Sequence, residues 1–384
     1  MTKHVLRWPS AVLFSLLSSL AAVVPASATP GVTPTTIVLG QSAALSGPSK
    51  QLGTEMRDGA QAYFDHINSK GGVNGRKIVL KSLDDGYEPE RAAANTKELI
   101  GGDQVFALFG YVGTPTSNAS LPLVAKDNVP FFAPLTGAQS LRSPFNANIF
   151  NIRAGYVPEM EKIVENLEGM GVKKIAVFYQ DDAYGKAGLE AVERALKKRN
   201  LTVMGTATIE RNSVDVAAAV AKMRTMAPPA VIIVTPYAAS AAFIHAMRQN
   251  AIALPYFWNI SFVGSQALAD ALGKEAPGVM ISQVMPSPWN EKLALIREYK
   301  KLYLTKPGRQ QGFVSLEGFI AAKAFVEGLQ GAGSNPTRAS FTKSIESAGP
   351  MDLGGFVLRF TASNHNASDY VELTVIRNDG TFMY

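Results

Sequence analysis

The segment TIVLGQSAALSGP, residues 36–48, decides the fold class of this chain. An apolar run typical of a buried strand comes first, and Ser46, Gly47 and Pro48 then form a turn before an amphipathic segment. A strand that ends in such a loop and leads into a helix is how an open α/β sheet forms a ligand-facing edge, because ligands bind beyond the carboxyl ends of the strands. The segment therefore indicates an α/β protein with a binding cleft.

The alternation of strand and helix patterns continues through the first half of the chain. Apolar residues at spacings of three and four predict one buried helix face between Met56 and Ile67. The run Val105–Phe109 is apolar throughout, as in strands that a parallel sheet buries on both faces. Further elements are predicted as strands at Lys77–Leu83 and Pro130–Ala133 and as a helix at Pro89–Ile100.

The second half repeats this rhythm. Strands are predicted at Lys174–Tyr179, Val203–Ile209, Val231–Val234, Phe257–Ile260 and Val279–Gln283, with helices near Gly185–Arg199, Val214–Met226, Ala238–Asn250 and Ser265–Leu272. Strands followed by helices of this length need right-handed crossovers, which yield a parallel sheet with helices on both faces. Three more helices, at Glu291–Leu304, Leu316–Leu329 and Thr337–Ser347, are not required by this second sheet.

Residues 1–28 have the features of a secretory signal. Basic residues precede an apolar run of 14 residues at 11–24, and Ala26-Ser27-Ala28 provides the small residues that signal peptidase requires. Because roughly 20 apolar residues are needed to span a bilayer, cleavage after Ala28 is favoured over a retained membrane anchor. The chain contains no cysteine, which excludes a lipoprotein anchor and disulfides. We expect a secreted, periplasmic protein that is not a lipoprotein.

Length and charge exclude other classes. Removing 28 of 384 residues leaves 356, the usual size of about two domains. The formal charge of +6 becomes +4 without Lys3 and Arg7, and its densest cluster, Lys197-Lys198-Arg199, lies at a helix end, where cations complement the helix dipole. Nucleic-acid binding would require a basic stripe with interleaved aromatic residues, so no nucleic-acid partner is expected.

Two loops after strands are candidates for an anion site. Gly110–Asn118 is a glycine-rich turn with several hydroxyls, among them Thr114 and Ser117, running into a helix. Such a helix N-terminus offers unpaired N–H groups and a positive dipole end, although Ser117 could instead cap the helix. The second loop, Ala133–Ala138, adds the hydroxyl of Thr136 and a glycine that permits close approach of the backbone.

The order of these blocks resembles the leucine/isoleucine/valine-binding family of periplasmic receptors, from residues 36–48 through Gly71-Gly72-Val73-Asn74-Gly75 and Leu83-Asp84-Asp85. The resemblance spans nearly all of residues 36–382. It implies the type I periplasmic binding fold, in which two doubly wound parallel-sheet lobes are joined by three chain crossings. The implied lobes are residues 34–153 plus 284–355 and residues 154–283 plus 356–384. The implied crossings lie near Arg153–Gly155, Ser282–Met285 and Gly354–Val357.

The resemblance also implies site residues. In this family the two loops hold the ligand carboxylate, with groups that match Thr114, Leu135, Thr136 and Gly137. Tyr184 and Tyr237 match tyrosines that face the ligand, and a tyrosine offers a rigid apolar face plus a hydroxyl. Tyr156, just past the first crossing, is a further wall candidate unless it serves interdomain packing. Asp182, before Tyr184, is a ligand candidate or a helix cap.

One departure from the family concerns the amino group of the ligand. The amino-acid receptors carry a carboxylate after the strand that matches Phe257–Ile260, but here Ser261 stands in that neighbourhood. A buried ammonium without a countercharge is costly, so either Asp181 or Asp182 replaces the acid or the ligand lacks an ammonium. Trp258 and Phe262 are either core residues or a wall that suits an aromatic acid. Tyr87 and Gly113 stand where the branched-chain receptors have paired cysteines.

No enzyme is expected. The histidines outside the signal, His66, His245 and His365, form no metal-spaced pair, and no nucleophile–base–orienter set, P-loop or dinucleotide motif is visible. We therefore expect no catalytic residue, cofactor or metal. The sequence favours a monomeric receptor of an ABC importer that binds an amino acid or an aromatic or other organic acid and docks on a membrane permease. A sensory module that feeds a chemoreceptor or kinase is the alternative.

Overall fold

The computed structural model describes residues 1–2, 4–5, 29–249 and 253–384. The predicted signal at residues 1–28 lies almost entirely outside them. Within the described residues, no helix is both long and apolar enough to pass through a bilayer.

The described residues form fourteen strands and eleven α-helices. In chain order the strands are β1 (Thr36–Ala43), β2 (Lys77–Asp84), β3 (Ala107–Phe109), β4 (Phe131–Phe132), β5 (Ile149–Phe150), β6 (Ile175–Gln180), β7 (Gly205–Ile209), β8 (Ala230–Val234), β9 (Tyr256–Asn259), β10 (Met280–Gln283), β11 (Pro350–Asp352), β12 (Val357–Arg359), β13 (Glu372–Ile376) and β14 (Phe382–Met383). The helices are α1 (Lys50–Ser69), α2 (Pro89–Lys97), α3 (Thr114–Asp127), α4 (Tyr156–Gly169), α5 (Ala183–Lys197), α6 (Ala217–Met226), α7 (Tyr237–Arg248), α8 (Ser265–Leu272), α9 (Ala294–Tyr303), α10 (Phe313–Gly331) and α11 (Arg338–Ser347).

The first lobe is built on a five-stranded parallel sheet in the order β2-β1-β3-β4-β5. β1 pairs with β2 along its whole length, from Thr36 opposite Lys77 to Ala43 opposite Asp84. An aromatic core lies beside the sheet. The ring centroid of Phe132 is within 5.2–6.2 Å of five other rings, those of Phe109, Phe150, Phe325, Phe341 and Phe360.

The second lobe is built on a seven-stranded sheet in the order β14-β13-β10-β9-β8-β6-β7. Its strands β6 to β10 are parallel, and β13 and β14 add an antiparallel edge. Every residue of β8, Ala230–Val234, is buried, as expected for a central parallel strand covered on both faces. The predicted architecture of two wound α/β lobes is confirmed.

Helix α10 returns to the first lobe and packs closely on α1. A Cβ at Gly59 would lie 1.9 Å from the backbone oxygen of Ser315, and one at Gly318 would lie 2.1 Å from that of Met56. A side chain at either position would therefore separate the two helices. These two glycines let the backbones of α1 and α10 touch.

The chain crosses between the lobes three times. The first crossing follows β5 at residues 151–155, and the second follows β10 at residues 284–293. Across the cleft between the crossings the lobes are in contact, since Arg211 Nη2 lies 3.0 Å from Glu88 Oε2 and Asn212 Nδ2 donates to the backbone oxygen of Gly86 at 3.0 Å.

The third crossing lies later in the chain than predicted. Gly354 and Gly355, with φ of 106° and 100°, form the turn of the β11–β12 hairpin rather than a hinge. The chain then stays with the first lobe, where Phe360 packs on Phe132 and the backbone N of Ala367 donates to the oxygen of Asn151 at 2.9 Å. The crossing therefore falls between residue 367 and β13, and the predicted boundary at 355/356 is about twelve residues early.

Candidate functional site

Two loops at the carboxyl edge of the first sheet lie side by side. Gly113 N donates to Leu135 O at 3.1 Å, and Leu135 N donates to Tyr111 O at 2.7 Å. Gly113 has φ +101°, and a Cβ there would lie 2.2 Å from Cε2 of Tyr87. Only glycine fits this turn, and the turn brings Thr114 to the first position of α3.

Three hydroxyls, those of Thr114, Thr136 and Tyr156, form a buried group that we call the hydroxyl cluster. Thr136 Oγ1 lies 2.7 Å from Thr114 Oγ1 and 3.2 Å from the OH of Tyr156, and it accepts from Ala138 N at 3.2 Å. Gly137 O accepts from Tyr156 N at 2.7 Å, and the tyrosine ring occupies the space that a side chain at position 137 would need. The structure thus brings the predicted loop residues together with Tyr156.

Two helices begin at the hydroxyl cluster. Thr114 is the first residue of α3 and Tyr156 the first of α4, and the preceding glycines, Gly113 and Gly155, provide no side-chain cap. Both helix dipoles therefore direct their positive ends toward the cluster, which favours an anion. Ser117 is not the cap of α3, and its buried Oγ has no hydrogen-bond partner among the residues that the structure describes.

Four aromatic side chains form what we call the aromatic row, which runs from one lobe to the other: Tyr156, Tyr184, Phe262 and Tyr87. The ring of Tyr184 lies 4.5 Å from that of Phe262 and 5.8 Å from that of Tyr156, and Phe262 lies 6.2 Å from Tyr87. Burial raises the pKa of Tyr184 and of Tyr87 well above the ordinary value. Their hydroxyls are thus protonated donors.

Asp182 acts as the N-cap of α5. Its Oδ1 accepts from the backbone N of Tyr184 at 2.9 Å and of Gly185 at 3.4 Å, while Gln180 Nε2 donates to its Oδ2 at 2.5 Å. Burial raises the pKa of Asp182 despite these bonds. Both oxygens are engaged within the second lobe, so of the two roles considered for Asp182 the structure shows the cap. Asp181 is paired with Lys186 at 3.0 Å on the surface.

Tyr237 and Trp258 lie apart from the aromatic row. Tyr237 begins α7, is half-buried and approaches α1 of the other lobe at Gln51. Trp258 is buried in the middle of β9, in register with Ile232 and Met280, and its Nε1 has no partner in the described residues. Of the two aromatic residues at this strand end, Phe262 packs between the rings of Tyr184 and of Tyr87 in the other lobe, and Trp258 is buried within the sheet.

Three buried charged residues, Arg153, Glu159 and Glu317, form what we call the ionic centre. Arg153 is 1% exposed, its Nη2 donates to Ser261 Oγ, and its Nε lies 3.7 Å from Glu317 Oε1. Glu159 Oε2 accepts from Ser261 N at 2.9 Å and from Ser282 Oγ at 2.6 Å. Where the family has an acid, this chain therefore has a serine that contacts both a guanidinium and a carboxylate.

Burial and the neighbouring charges together shift the pKa values of Glu317 and Arg153 in the ionic centre. Burial raises the pKa of Glu317 to about 7, although Arg153 opposes this shift. Burial also disfavours the charge on Arg153, but the carboxylates of Glu317 and Glu159 outweigh it and raise the Arg153 pKa. Arg142 donates to the backbone oxygens of Thr136 at 3.2 Å and Arg153 at 3.1 Å, which ties the ionic centre to the hydroxyl cluster.

Sequence reasoning missed the ionic centre. Arg153 marked only a chain crossing, and Glu159 and Glu317 resembled ordinary charges on helices. The available signal was the segment Asn151-Ile152-Arg153-Ala154-Gly155, where an arginine directly follows a buried strand and the next acid, Glu159, lies six residues later in a helix. Its carboxylate partners come from α4 and α10, which only the tertiary fold brings together.

The arrangement has the features of a binding site. The hydroxyl cluster and two helix N-termini suit a carboxylate, because several hydrogen bonds to an ionised acceptor bind it without a cation. The aromatic row supplies an apolar wall. Within residues 29–249 and 253–384, no three His, Asp or Glu side chains are grouped so as to hold a metal ion.

These features define a two-lobed α/β protein whose candidate binding residues lie buried where its lobes meet. The sequence profile of the periplasmic binding protein family matches residues 36–381, and the chain belongs to this family. Within it, the chain has the type I fold and is leucine/isoleucine/valine-binding-like. The family is one of solute-binding proteins.

Two curated relatives and one solved structure carry this conclusion. Leu/Ile/Val-binding protein homolog 7 of Brucella suis is 26% identical over 382 residues, covering 92% of this chain and 91% of that protein. Homolog 3 of Brucella melitensis is 27% identical over 190 residues, 49% of this chain and 51% of that protein, so this match spans about half of each. A possible leucine/isoleucine/valine-binding protein from Rhodopirellula baltica has a TM-score of 0.87 and 33% identity, covering 93% of this chain and 98% of that one.

Proposed function

We propose that the chain is the periplasmic receptor of an ABC importer and that its two lobes close on one small carboxylate-bearing solute. The observation that carries this proposal is the hydroxyl cluster, where Thr114, Thr136 and Tyr156 converge at the start of two helices. The carboxylate accepts hydrogen bonds from these hydroxyls and, in the adjacent loop Leu135–Gly137, from the backbone N–H of Gly137, because those of Leu135 and Thr136 donate to Tyr111 O and Pro134 O.

The rest of the solute lies along the aromatic row. Tyr156 and Tyr184 provide flat faces, and Tyr237 bounds the outer edge beside α1. Ser261 contributes through its contact with Arg153. An apolar or aromatic side chain suits such a wall, because offset aromatic contacts add to the free energy of burial. A micromolar affinity requires only about 8 kcal/mol, which a charged anchor and one buried side chain supply.

Closure is the proposed mechanism. The aromatic row and the Glu88–Arg211 pair join residues of both lobes, so they form only when the lobes approach. A solute that contacts both lobes shifts the open–closed equilibrium toward the closed form. The closed receptor then docks on a membrane permease as a monomer. A sensory module that presents the same closed form to a chemoreceptor or kinase is the alternative, and neighbouring genes for permease and ATPase subunits would favour import.

Export and processing belong to the same proposal. A signal at residues 1–28, cleaved after Ala28, would place the mature protein in the periplasm without a lipid anchor. N-terminal sequencing of protein from a periplasmic extract tests this. A mature chain that begins after residue 28 supports export, whereas a retained Met1 contradicts it.

Binding is tested by thermal melting with a panel of amino acids and organic acids, followed by titration calorimetry of each solute that raises the melting temperature. Thr114→Val should weaken binding of any carboxylate. Thr116→Val is the matched control, because that hydroxyl bonds backbone oxygens of its own turn. If no solute of the panel stabilises the protein, the receptor proposal fails. If both variants bind equally well, the carboxylate lies elsewhere.

A further inference from the structure

A turn of the second lobe reaches across the cleft to a loop of the first lobe. Arg211 and Asn212 form this turn after β7, and Asn212 has a left-handed conformation with φ +59°. Asn212 Nδ2 donates to Glu88 Oε1 at 2.7 Å and to Gly86 O at 3.0 Å, while Arg211 Nε donates to Glu88 Oε2 at 3.2 Å. We call these four residues the interlobe contact. Both carboxylate oxygens of Glu88 thus accept from the other lobe.

The first-lobe side of the interlobe contact is held in place by Asp84. Its Oδ1 accepts from the backbone N of Leu45 at 2.9 Å, of Ser46 at 3.1 Å and of Gly86 at 2.9 Å, and its Oδ2 accepts from Ser46 Oγ at 2.6 Å. Burial alone would raise the pKa of Asp84, but its hydrogen bonds lower it to about 2, so the carboxylate stays ionised. The loop therefore presents Gly86 O and Glu88 in fixed positions, and ordering it costs little when the lobes meet.

The guanidinium of Arg211 is occupied by protein carboxylates on both of its sides. Its Nη2 lies 3.0 Å from Glu88 Oε2, and its Nη1 lies 3.6 Å from Asp182 Oδ2. Asp182 caps α5, and the second residue of that helix is Tyr184 of the aromatic row. Arg211 therefore joins the first lobe to the helix that carries one wall of the candidate site, as a bridge between two carboxylates.

On the basis of the proposed function, we propose that Arg211 and Asn212 are positioning residues that hold the lobes closed and thereby set how long a bound solute stays in the site. The interlobe contact exists only when the lobes meet, so it stabilises the closed form and leaves unchanged the open form that the solute enters. A bound solute leaves after the lobes reopen. Loss of the contact should therefore speed dissociation and leave association unchanged.

Substitutions on both sides of the interlobe contact test this role. Exposed ion pairs contribute little alone, but this one is part of a network, so Arg211→Gln and Glu88→Gln should each raise the dissociation rate about 3–10-fold. The Glu88 side chain does not cap α2, so its replacement leaves that helix intact. Asn212→Asp keeps a residue that tolerates the left-handed conformation but replaces the donor by an acceptor, and it should also speed dissociation. Glu90→Gln, an exposed change in the first turn of α2, is the matched control and should equal wild type.

A double-mutant cycle distinguishes the interlobe role of Arg211 from an effect through Asp182. If the contact with Glu88 is what matters, Arg211→Gln/Glu88→Gln should dissociate no more than about twofold faster than the faster single variant, because the two residues act on one interaction. An effect through Asp182 and Tyr184 would persist when Glu88 is already glutamine. Arg211 and Glu88 are 27% and 41% exposed. Raising NaCl from about 20 mM to about 500 mM should therefore speed dissociation from wild type and leave the double variant nearly unchanged.

The rates are measured by stopped-flow fluorescence with L-leucine, L-phenylalanine and 3-phenylpropionate as first probes, or with the solute of the wider panel that binds most tightly. Equal dissociation rates in wild type and all variants overturn this inference while the receptor proposal stands. Effects that multiply in the double variant, or a change confined to the association rate, overturn it as well. If no solute of the panel binds, the receptor proposal fails and this inference fails with it.

Discussion

Replacing Glu55 with glutamine should stabilise the protein at alkaline pH and leave it unchanged at acidic pH. Glu55 lies on α1 and is buried at 9% exposure, where its Oε1 accepts from Gln51 Nε2 at 3.0 Å. Burial is the main reason that its pKa rises from 4.5 to about 7, and the carboxylates of Asp270 on α8 and Asp58 on α1 add to this shift. Tyr303 and Arg309 line the same interlobe pocket.

The sign and size of the effect follow from this shift. Between pH 4.5 and 7 the native protein holds a proton at Glu55 that the unfolded chain has released, so native stability falls as the pH rises through this window. At about 1.4 kcal/mol per pKa unit, the change from 4.5 to about 7 corresponds to about 3 kcal/mol. Glutamine resembles the protonated acid, still accepts from Gln51 and does not titrate. Glu55→Gln should therefore exceed wild type by up to about 3 kcal/mol at pH 8.

Urea unfolding followed by tryptophan fluorescence at pH 5, 6, 7 and 8 measures the effect. The stability difference between Glu55→Gln and wild type should be about 1 kcal/mol at pH 5, rise most steeply between pH 5 and 7, and level off by pH 8, because the two pKa values bracket that window. Glu90→Gln is the matched control, because Glu90 is exposed in the first turn of α2, and its difference from wild type should stay flat. A flat profile for Glu55→Gln, or a variant that is less stable at every pH, would refute the reasoning.

Three further substitutions test the site. Thr136→Val deprives Thr114 and Tyr156 of their shared hydroxyl partner and should cost about 1–3 kcal/mol of stability together with carboxylate affinity; unchanged urea midpoints and calorimetry would contradict the hydroxyl cluster. Phe262→Ala removes a ring that joins the lobes, and truncating a buried Phe usually costs about 3–5 kcal/mol of stability. Because the closed form loses this contact, X-ray scattering of the variant with bound solute should show a larger radius of gyration than wild type. An equal radius counts against a role of Phe262 in closure. The affinity of the wild type for carboxylates should fall as the pH rises through about 7, because deprotonation of Glu317 places a negative charge near the ligand. Glu317→Gln should abolish this pH dependence. Parallel pH profiles of the two proteins in calorimetry would rule out this role of Glu317.

The alternation of strands, loops and helices in this chain could be predicted from the sequence because most elements show their own periodicity of apolar residues. The fully apolar run at Val105–Phe109 predicted a strand that the structure places at Ala107–Phe109. The helix at Leu316–Leu329 is observed as the longer α10, Phe313–Gly331. Local periodicity is enough for such elements, since burial on one or two faces follows directly from it.

Other elements lacked a readable local signal or were overlooked. Strand β5 has only two residues, too few for any periodicity. The hairpin of β11 and β12 has no pattern of its own in the sequence, and the segment after it is held to the first lobe by tertiary contacts. Its glycine turn was therefore mistaken for a crossing between the lobes. Helix α4 was missed although Met160, Ile163 and Leu167 repeat at helical spacing and are buried; in that case the signal was present.

The candidate site likewise contains residues that could be grouped from the sequence and residues that could not. Loops after parallel strands meet at one sheet edge by construction, which is why Thr114 and Thr136 could be expected together. Sequence does not show which charges are buried, so Arg153, Glu159 and Glu317 could not be grouped without the fold. The same holds for Trp258 and Phe262, whose different surroundings depend on where β9 ends and a short turn begins.

The close packing of α1 on α10 has a consequence for how the chain reaches its native state during synthesis. Asn74 Nδ2 donates to the backbone oxygen of Gly333 at 3.0 Å across 259 positions of sequence, and α10 follows the whole parallel sheet of the second lobe. While the ribosome is making most of the chain, the first lobe lacks the helix that covers its sheet, and contacts of such long sequence separation form slowly. The core of the first lobe is therefore completed only late in translation. Until then the chain is incompletely folded, which is the state in which a polypeptide can pass through a membrane translocon.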